Sequence, residues 1–229
     1  MTSEPVPRLG HMTWPEIAER AATTLLAVPI GSTEQHGPHL PVTTDLIVAE
    51  ALAERLAVAR RDVVVAPGIA YGSSGEHAGF PGTLSIGQDA LESVIVELVR
   101  SADAFAGVVL VSAHGGNAEP VSRAERVATA EGRRVLAWAP RVEGGDAHAG
   151  RTETSMLLAL RARVRVDAAA PGDTRPLDEL LPDLRTGGIA AIVANGVLGD
   201  PTGATADEGV RLLEALTADL VAAVARFAE

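Results

Sequence analysis

Apolar residues along this chain follow two rhythms. Four short runs are apolar almost without a break: Leu25–Ile30, Val63–Ala66, Val108–Val111 and Val135–Ala139. None shows the in-and-out alternation of a strand with one wet face, so each predicts a strand covered on both faces of a parallel sheet. Between the runs, apolar positions recur at helical spacing. Leu46, Ala49, Leu52, Ala53, Leu56 and Ala57 predict a helix from about Asp45 to Arg60.

Helix starts are marked too. Thr13-Trp-Pro-Glu16 has capping-box spacing with an early proline, which predicts a short helix over about 14–22. Ser85 and Gln88 repeat the spacing ahead of a helix to about Ala104, and another helix covers about 119–131. Thr205 with Glu208 opens the last helix, to about Phe227. Residues 161–204 break the rhythm with Pro171, Pro176, Pro182 and Pro201 and glycines at 187, 188, 196, 199 and 203. They predict a long surface excursion with one short strand near Ile189–Val193; the other readings are a lid or a subunit contact. Strand and helix otherwise alternate, so the expected fold is a single three-layer α/β/α domain over 1–229 with a mostly parallel central sheet.

Composition removes several chemistries. The chain has 229 residues, no cysteine and no lysine, since all 19 basic residues are arginine. Thiol nucleophiles, thiolate metal sites, Schiff-base lysines and the P-loop lysine are therefore excluded. No G-x-S-x-G elbow positions a serine, and Gly72-Ser-Ser-Gly75 lacks that spacing. A net charge of −11 opposes nucleic acid and anionic membranes as partners. Residues 1–24 contain no continuous apolar stretch, so no signal peptide or membrane span is expected and a cytoplasmic location is the default.

Histidines and carboxylates remain, and they are clustered. Glu34, His36, His39 and Asp45 fall within twelve residues after the first strand, His77 follows the second, His114 the third and His148 the fourth. In an open parallel sheet these segments all leave the strands at the carboxyl edge, so the topology gathers the histidines on one rim. Mixed imidazole and carboxylate is a donor set for zinc, iron or manganese. A metal-activated water is the chemistry left standing.

The same segments resemble the creatininase family of metal-dependent amidohydrolases. The marks are the run Glu34-Gln-His36-Gly-Pro-His39-Leu-Pro-Val-Thr-Thr-Asp45, the loop Gly72-Ser-Ser-Gly-Glu76-His77, the turn His114-Gly-Gly-Asn117 and His148-Ala-Gly-Arg-Thr-Glu153-Thr-Ser155. The resemblance implies two divalent ions per chain (Zn2+, Fe2+ or Mn2+), with Glu34, His36, Asp45 and His114 as ligands and Asp45 bridging. Creatininase itself completes its second site with a glutamate two residues after the matching histidine; here that position is Gly116, and Glu153 is the expected substitute. The lesser alternative for Glu153 is a first-turn acid favoured by a helix dipole. The resemblance makes His148 the catalytic histidine, delivering a proton to the leaving nitrogen.

Other roles stay open. His39 and His77 could orient the ligand glutamates or hold a substrate carbonyl. Gly115, Gly116 and Asn117 could let backbone approach substrate or simply form a tight turn. Asp146-Ala-His148-Ala-Gly and the stretch 196–209 look most like a branch of the family that trims a small modified precursor peptide. Such an enzyme, releasing a C-terminal dipeptide, is expected to grip the terminal carboxylate with an arginine, and Arg151 is near His148 in sequence. Competing expectations are a cyclic-amide or formamide hydrolase, a sugar-acid or lactone hydrolase, and a non-catalytic metal-dependent binding protein. The resemblance also implies a homo-oligomer.

Overall fold

The computed structural model describes residues 6–229; for residues 1–5, the expectation of a leader-free start lies outside that range. The chain runs α1 (Trp14–Ala18), β1 (Leu25–Ile30), α2 (Thr44–Ala59), β2 (Val63–Val65), α3 (Gln88–Ser101), β3 (Gly107–Ser112), α4 (Ala118–Ala130), β4 (Val135–Trp138), α5 (Arg151–Ala159), α6 (Leu177–Ile192) and α7 (Ala206–Ala228). The four strands form one parallel sheet in the order β2-β1-β3-β4.

Both faces are covered, as the unbroken apolar runs require. Leu25, Ala27, Val63, Val65, Val109 and Val111 pack on one side with residues of α2, α5 and α7. Leu26, Val28, Ile30, Val64, Val108 and Leu110 pack on the other with α3 and α4. Each fully buried leucine or valine contributes roughly 1.5–3 kcal/mol. β1 is followed by α2 on the first face and its neighbour β3 by α4 on the second. The two connections leave on opposite sides, which opens a crevice at the carboxyl ends of β1 and β3. Pro29 is tolerated in this central strand because it lies beyond the β2 ladder; its carbonyl accepts from Ile69 N–H (2.9 Å) on the side where its own missing N–H would point.

Three local expectations are corrected. α1 stops at Ala18, short of 22, and a 3-10 turn over Ala21–Thr23 follows. The Ser85–Gln88 box does not form: Gly87, at φ 79°, is the N-cap of α3, and Ser85 Oγ accepts from Ser74 N–H (2.9 Å) and Gly87 N–H (3.3 Å). The strand near Ile189–Val193 is instead the end of α6, which bends at Gly188 (φ 65°). Ile189 packs there with Leu180 and Leu198, so the run is a small apolar cluster beneath a helix rather than a sheet edge. Thr205 does cap α7, accepting from Glu208 N–H (3.2 Å), but the Glu208 carboxylate turns to Arg151 and Ser155.

Candidate metal centre

The carboxyl ends of β1 and β3 bring the predicted residues together. Gly31 ends β1 with no room for a side chain, because a Cβ there would run into the backbone of Leu46. That contact presses the start of α2 against the strand end and places Asp45, in the first turn of α2, beside Glu34 and His36. His114 follows one residue after Ala113, whose N–H still bonds Ile30 O (3.0 Å). Glu34 and His36 are fully buried, and Asp45, His77, His114 and His148 nearly so.

Asp45 faces two histidines with different oxygens. Its Oδ1 is 3.1 Å from His36 Nε2 and its Oδ2 is 3.4 Å from His114 Nδ1. Glu153 Oε2 stands 4.0 Å from His36 Nε2, while Glu34 Oε2 is 3.1 Å from His114 Nε2. Three groups of donor atoms therefore lie close enough to hold a cation: His36, His148 and Glu153; Glu34, Asp45 and His114; and Glu34, His77 and His148.

The far nitrogens of the histidines fix their tautomers. His36 Nδ1–H donates to Glu34 O (3.1 Å) while Nε2 faces Asp45 Oδ1, and His114 Nε2–H donates to Ser73 O (3.0 Å) while Nδ1 faces Asp45 Oδ2. Gln35, buried between them, assigns the other two. Its amide hydrogens go to Gly196 O (2.9 Å) and His77 Nδ1 (3.1 Å), so His77 carries its proton on Nε2, 3.0 Å from Glu34 Oε1. His148 then keeps Nε2–H for Gln35 O (2.9 Å) and turns bare Nδ1 toward Glu34 Oε1 (3.8 Å).

Imidazole nitrogens thus face buried carboxylate oxygens. Both Glu34 oxygens and Asp45 Oδ2 are buried without any hydrogen bond, an arrangement that costs free energy unless positive charge sits among them. The titration of the groups says the same. Burial pushes Glu34 up to about 8 and also raises Glu153. Burial opposes charge on His36 and His114, yet Asp45 beside His36 and Glu34 beside His114 lift them to about 9 and about 10. Burial lowers His77 to about 3 and, with His36 and His77 nearby, takes His148 well below its ordinary value. The donor set fits divalent ions held by imidazole and carboxylate.

A cleft of about 870 Å³ opens onto this cluster. Asp45, His77, His114, His148 and Glu153 reach it, with Gly115 and Gly116 on the rim. α6 forms the opposite wall with Leu177, Leu181, Leu184 and Arg185. Three of the residues considered from sequence lie elsewhere. His39 is buried off the cleft with Nε2 on Thr154 Oγ1 (3.0 Å), bracing the helix that carries Glu153. Asn117 is a clamp: Oδ1 accepts from Ser73 N–H (2.9 Å) and Nδ2 donates to Gly31 O (2.9 Å). Arg151 does not line the cleft, and its Nε is paired with Glu208 at 2.8 and 3.0 Å, so it is not placed to hold a substrate carboxylate. The residues missed from sequence are Gln35, Ser73 and Glu76. A glutamine between Glu34 and His36 was the available signal for the first.

Residues 10–224 match the creatininase family, described as creatinine amidohydrolase. The chain belongs to this family. It is 51% identical over 196 residues to the mycofactocin precursor peptide peptidase of Mycolicibacterium smegmatis (strain ATCC 700084 / mc(2)155), covering 82% of this chain and 79% of that one. It is 49% identical over 214 residues to the protein of the same name from Mycobacterium tuberculosis (strain CDC 1551 / Oshkosh), covering 88% and 85%. In structure it superposes on a crystal structure of creatinine amidohydrolase (creatininase) with a TM-score of 0.83 at 24% identity, over 97% of this chain and 98% of the other, which bears on the fold. As a member of the creatininase family the chain is a metal-dependent hydrolase acting on C–N bonds. Among the described residues no helix is long and apolar enough to cross a membrane.

Proposed function

We propose that this chain is a two-ion peptidase that releases a C-terminal dipeptide from a small modified precursor peptide of the mycofactocin type. The observation that supports two ions is Asp45, which offers Oδ1 to the His36 side and Oδ2 to the His114 side. The substrate reading rests on the name of the relatives at about half identity. A cleft of about 870 Å³ with a leucine-lined wall is also roomy for a peptide, well beyond what a formamide needs.

When bound, zinc, iron(II) or manganese ions would activate a water and polarise the scissile carbonyl. Glu34, Asp45 and His114 would hold one, and His36, Asp45 and Glu153 the other. The protein's own part is proton handling. His148 starts neutral, with its proton on Nε2 held by Gln35 O and its Nδ1 free. It therefore takes a proton at Nδ1 as the water attacks and passes it to the departing nitrogen, the difficult half of amide hydrolysis. Glu34 Oε1, 3.8 Å from His148 Nδ1, favours the charged imidazole in between.

The test is incubation of metal-replete protein with modified and unmodified precursor peptide, with products read by mass. Loss of a dipeptide mass from the modified peptide is the expected result. Rapid turnover of creatinine or formamides with the peptide left intact would move the chain to another branch of its family.

A further inference from the structure

Glu76 belongs to none of the donor groups above, yet its carboxylate lines the cleft against one of them. Its Oε1 lies 3.3 Å from His114 Nε2, the nitrogen on the far side of the ring from Asp45. That same N–H donates to Ser73 O, and Glu34 Oε2 stands 3.1 Å from it, so two carboxylates and a carbonyl surround one proton. The carboxylate is there because position 116 has no side chain. A Cβ on Gly116 would sit 2.5 Å from Glu76 Oε1 and nearer still to His114 Nε2 and Ser73 O. On its other side Glu76 is pressed by α6, where a Cβ on Gly188 would come within 2.6 Å of Glu76 O. The next residue in the same 3-10 turn, His77, contacts Glu34.

We propose that Glu76 is a positioning residue for the hydrolysis: it holds His114 through its outer nitrogen, across the space Gly116 leaves, and joins that ligand to the α6 wall. The proposal rests on the reading of His114 as a metal ligand. A negative acceptor behind an imidazole fixes its tautomer and strengthens the donor at the other nitrogen; removing such a partner typically weakens the metal by about 10- to 100-fold. Asp45 supplies the independent sign that a cation belongs in front of His114, because its Oδ2 is buried without a hydrogen bond 3.4 Å from His114 Nδ1.

The experiment is titration of metal-free protein with Mn2+, following free and bound metal, for wild type, Glu76→Gln and Glu76→Ala. One of the two ions should weaken by roughly 10- to 100-fold in Glu76→Ala and by less in Glu76→Gln, which keeps the shape and an acceptor oxygen; the other ion should be unchanged. With Co2+ in place of Mn2+, the visible spectrum of the weakened ion should shift, which a purely structural role would not produce. Gly116→Ala should weaken the same ion, and adding Glu76→Ala to it should cost less than about twofold more. Wild-type affinity for both ions in Glu76→Ala would overturn the proposal, as would a double variant whose loss equals the product of the two single losses. A wild type that binds its ions but cleaves no peptide counts against the proposed function instead, and the Glu76 comparison still stands on binding alone.

Discussion

The two halves of the cluster are supported differently. On the His36 side the outer nitrogen bonds the carbonyl of Glu34, two residues back in the same segment, and one short run of sequence supplies both His36 and Asp45, with Glu153 joining from α5. On the His114 side the outer nitrogen bonds Ser73 O, 41 residues away, and the loop carrying Ser73 is itself pinned by Asn117. One half is built locally and the other borrows its backing from a different loop. The local half should therefore respond mainly to loss of its ligands, whereas the borrowed half should also respond to changes in residues that never touch an ion.

The largest effect is expected where the halves meet. Asp45→Ala should lose both ions and all turnover, read by metal analysis after dialysis, because each half depends on one of its oxygens. Retention of either ion would separate the halves completely. His148→Ala should keep both ions and slow turnover by roughly 100-fold or more, the usual scale for losing a general acid or base. If activity falls only in step with metal content, His148 is a ligand and its contact with Glu34 has to be read that way.

Smaller changes probe one half at a time. Glu153→Gln should weaken the His36-side ion alone, measured in the same titration, since Glu153 approaches His36. Asn117→Ala should cost about 1–3 kcal/mol in a denaturant melt by leaving Ser73 N–H and Gly31 O unpaired, and it should also weaken the His114-side ion. Equal loss from both ions would erase the contrast between local and borrowed support. Arg151→Ala should change least of all, leaving ion content and the choice between free-acid and amidated peptides as they were, because its guanidinium points to Glu208.

The same contrast explains what could be read from the chain itself. Strands β1 to β4 and helices α2, α4 and α7 follow from unbroken apolar runs and helical spacing, and the gathering of His36, His77, His114 and His148 follows from strand ends on one rim. Glu34, His36 and Asp45, clustered in one segment, announce themselves by spacing. Glu76 does not: its partner is His114, 38 positions on, and its place depends on an absence at Gly116. Arg151 misled because nearness in sequence to His148 says nothing about direction; at the start of α5 its side chain leaves toward α7. α6 was hidden by Pro182 and the pair Gly187-Gly188, which read as breakers: the helix absorbs the first, whereas Gly188 does interrupt it, at φ 65° and ψ −176°.

The excursion that carries α6 begins and ends at nearly the same point. Gly172 N–H bonds Gly199 O (3.0 Å), Asp173 N–H bonds Val197 O (3.0 Å), and Leu198 exchanges backbone bonds with His148. A segment with its ends already stapled together behaves as a cassette: its interior can be shortened, lengthened or replaced without rethreading the sheet, at a closure cost of only about 0.6 kcal/mol per doubling of length. Its exchange is constrained at two points where it touches the cluster, Gly196 O on the Gln35 amide and Gly188 against Glu76, so a graft of residues 173–197 has to carry both.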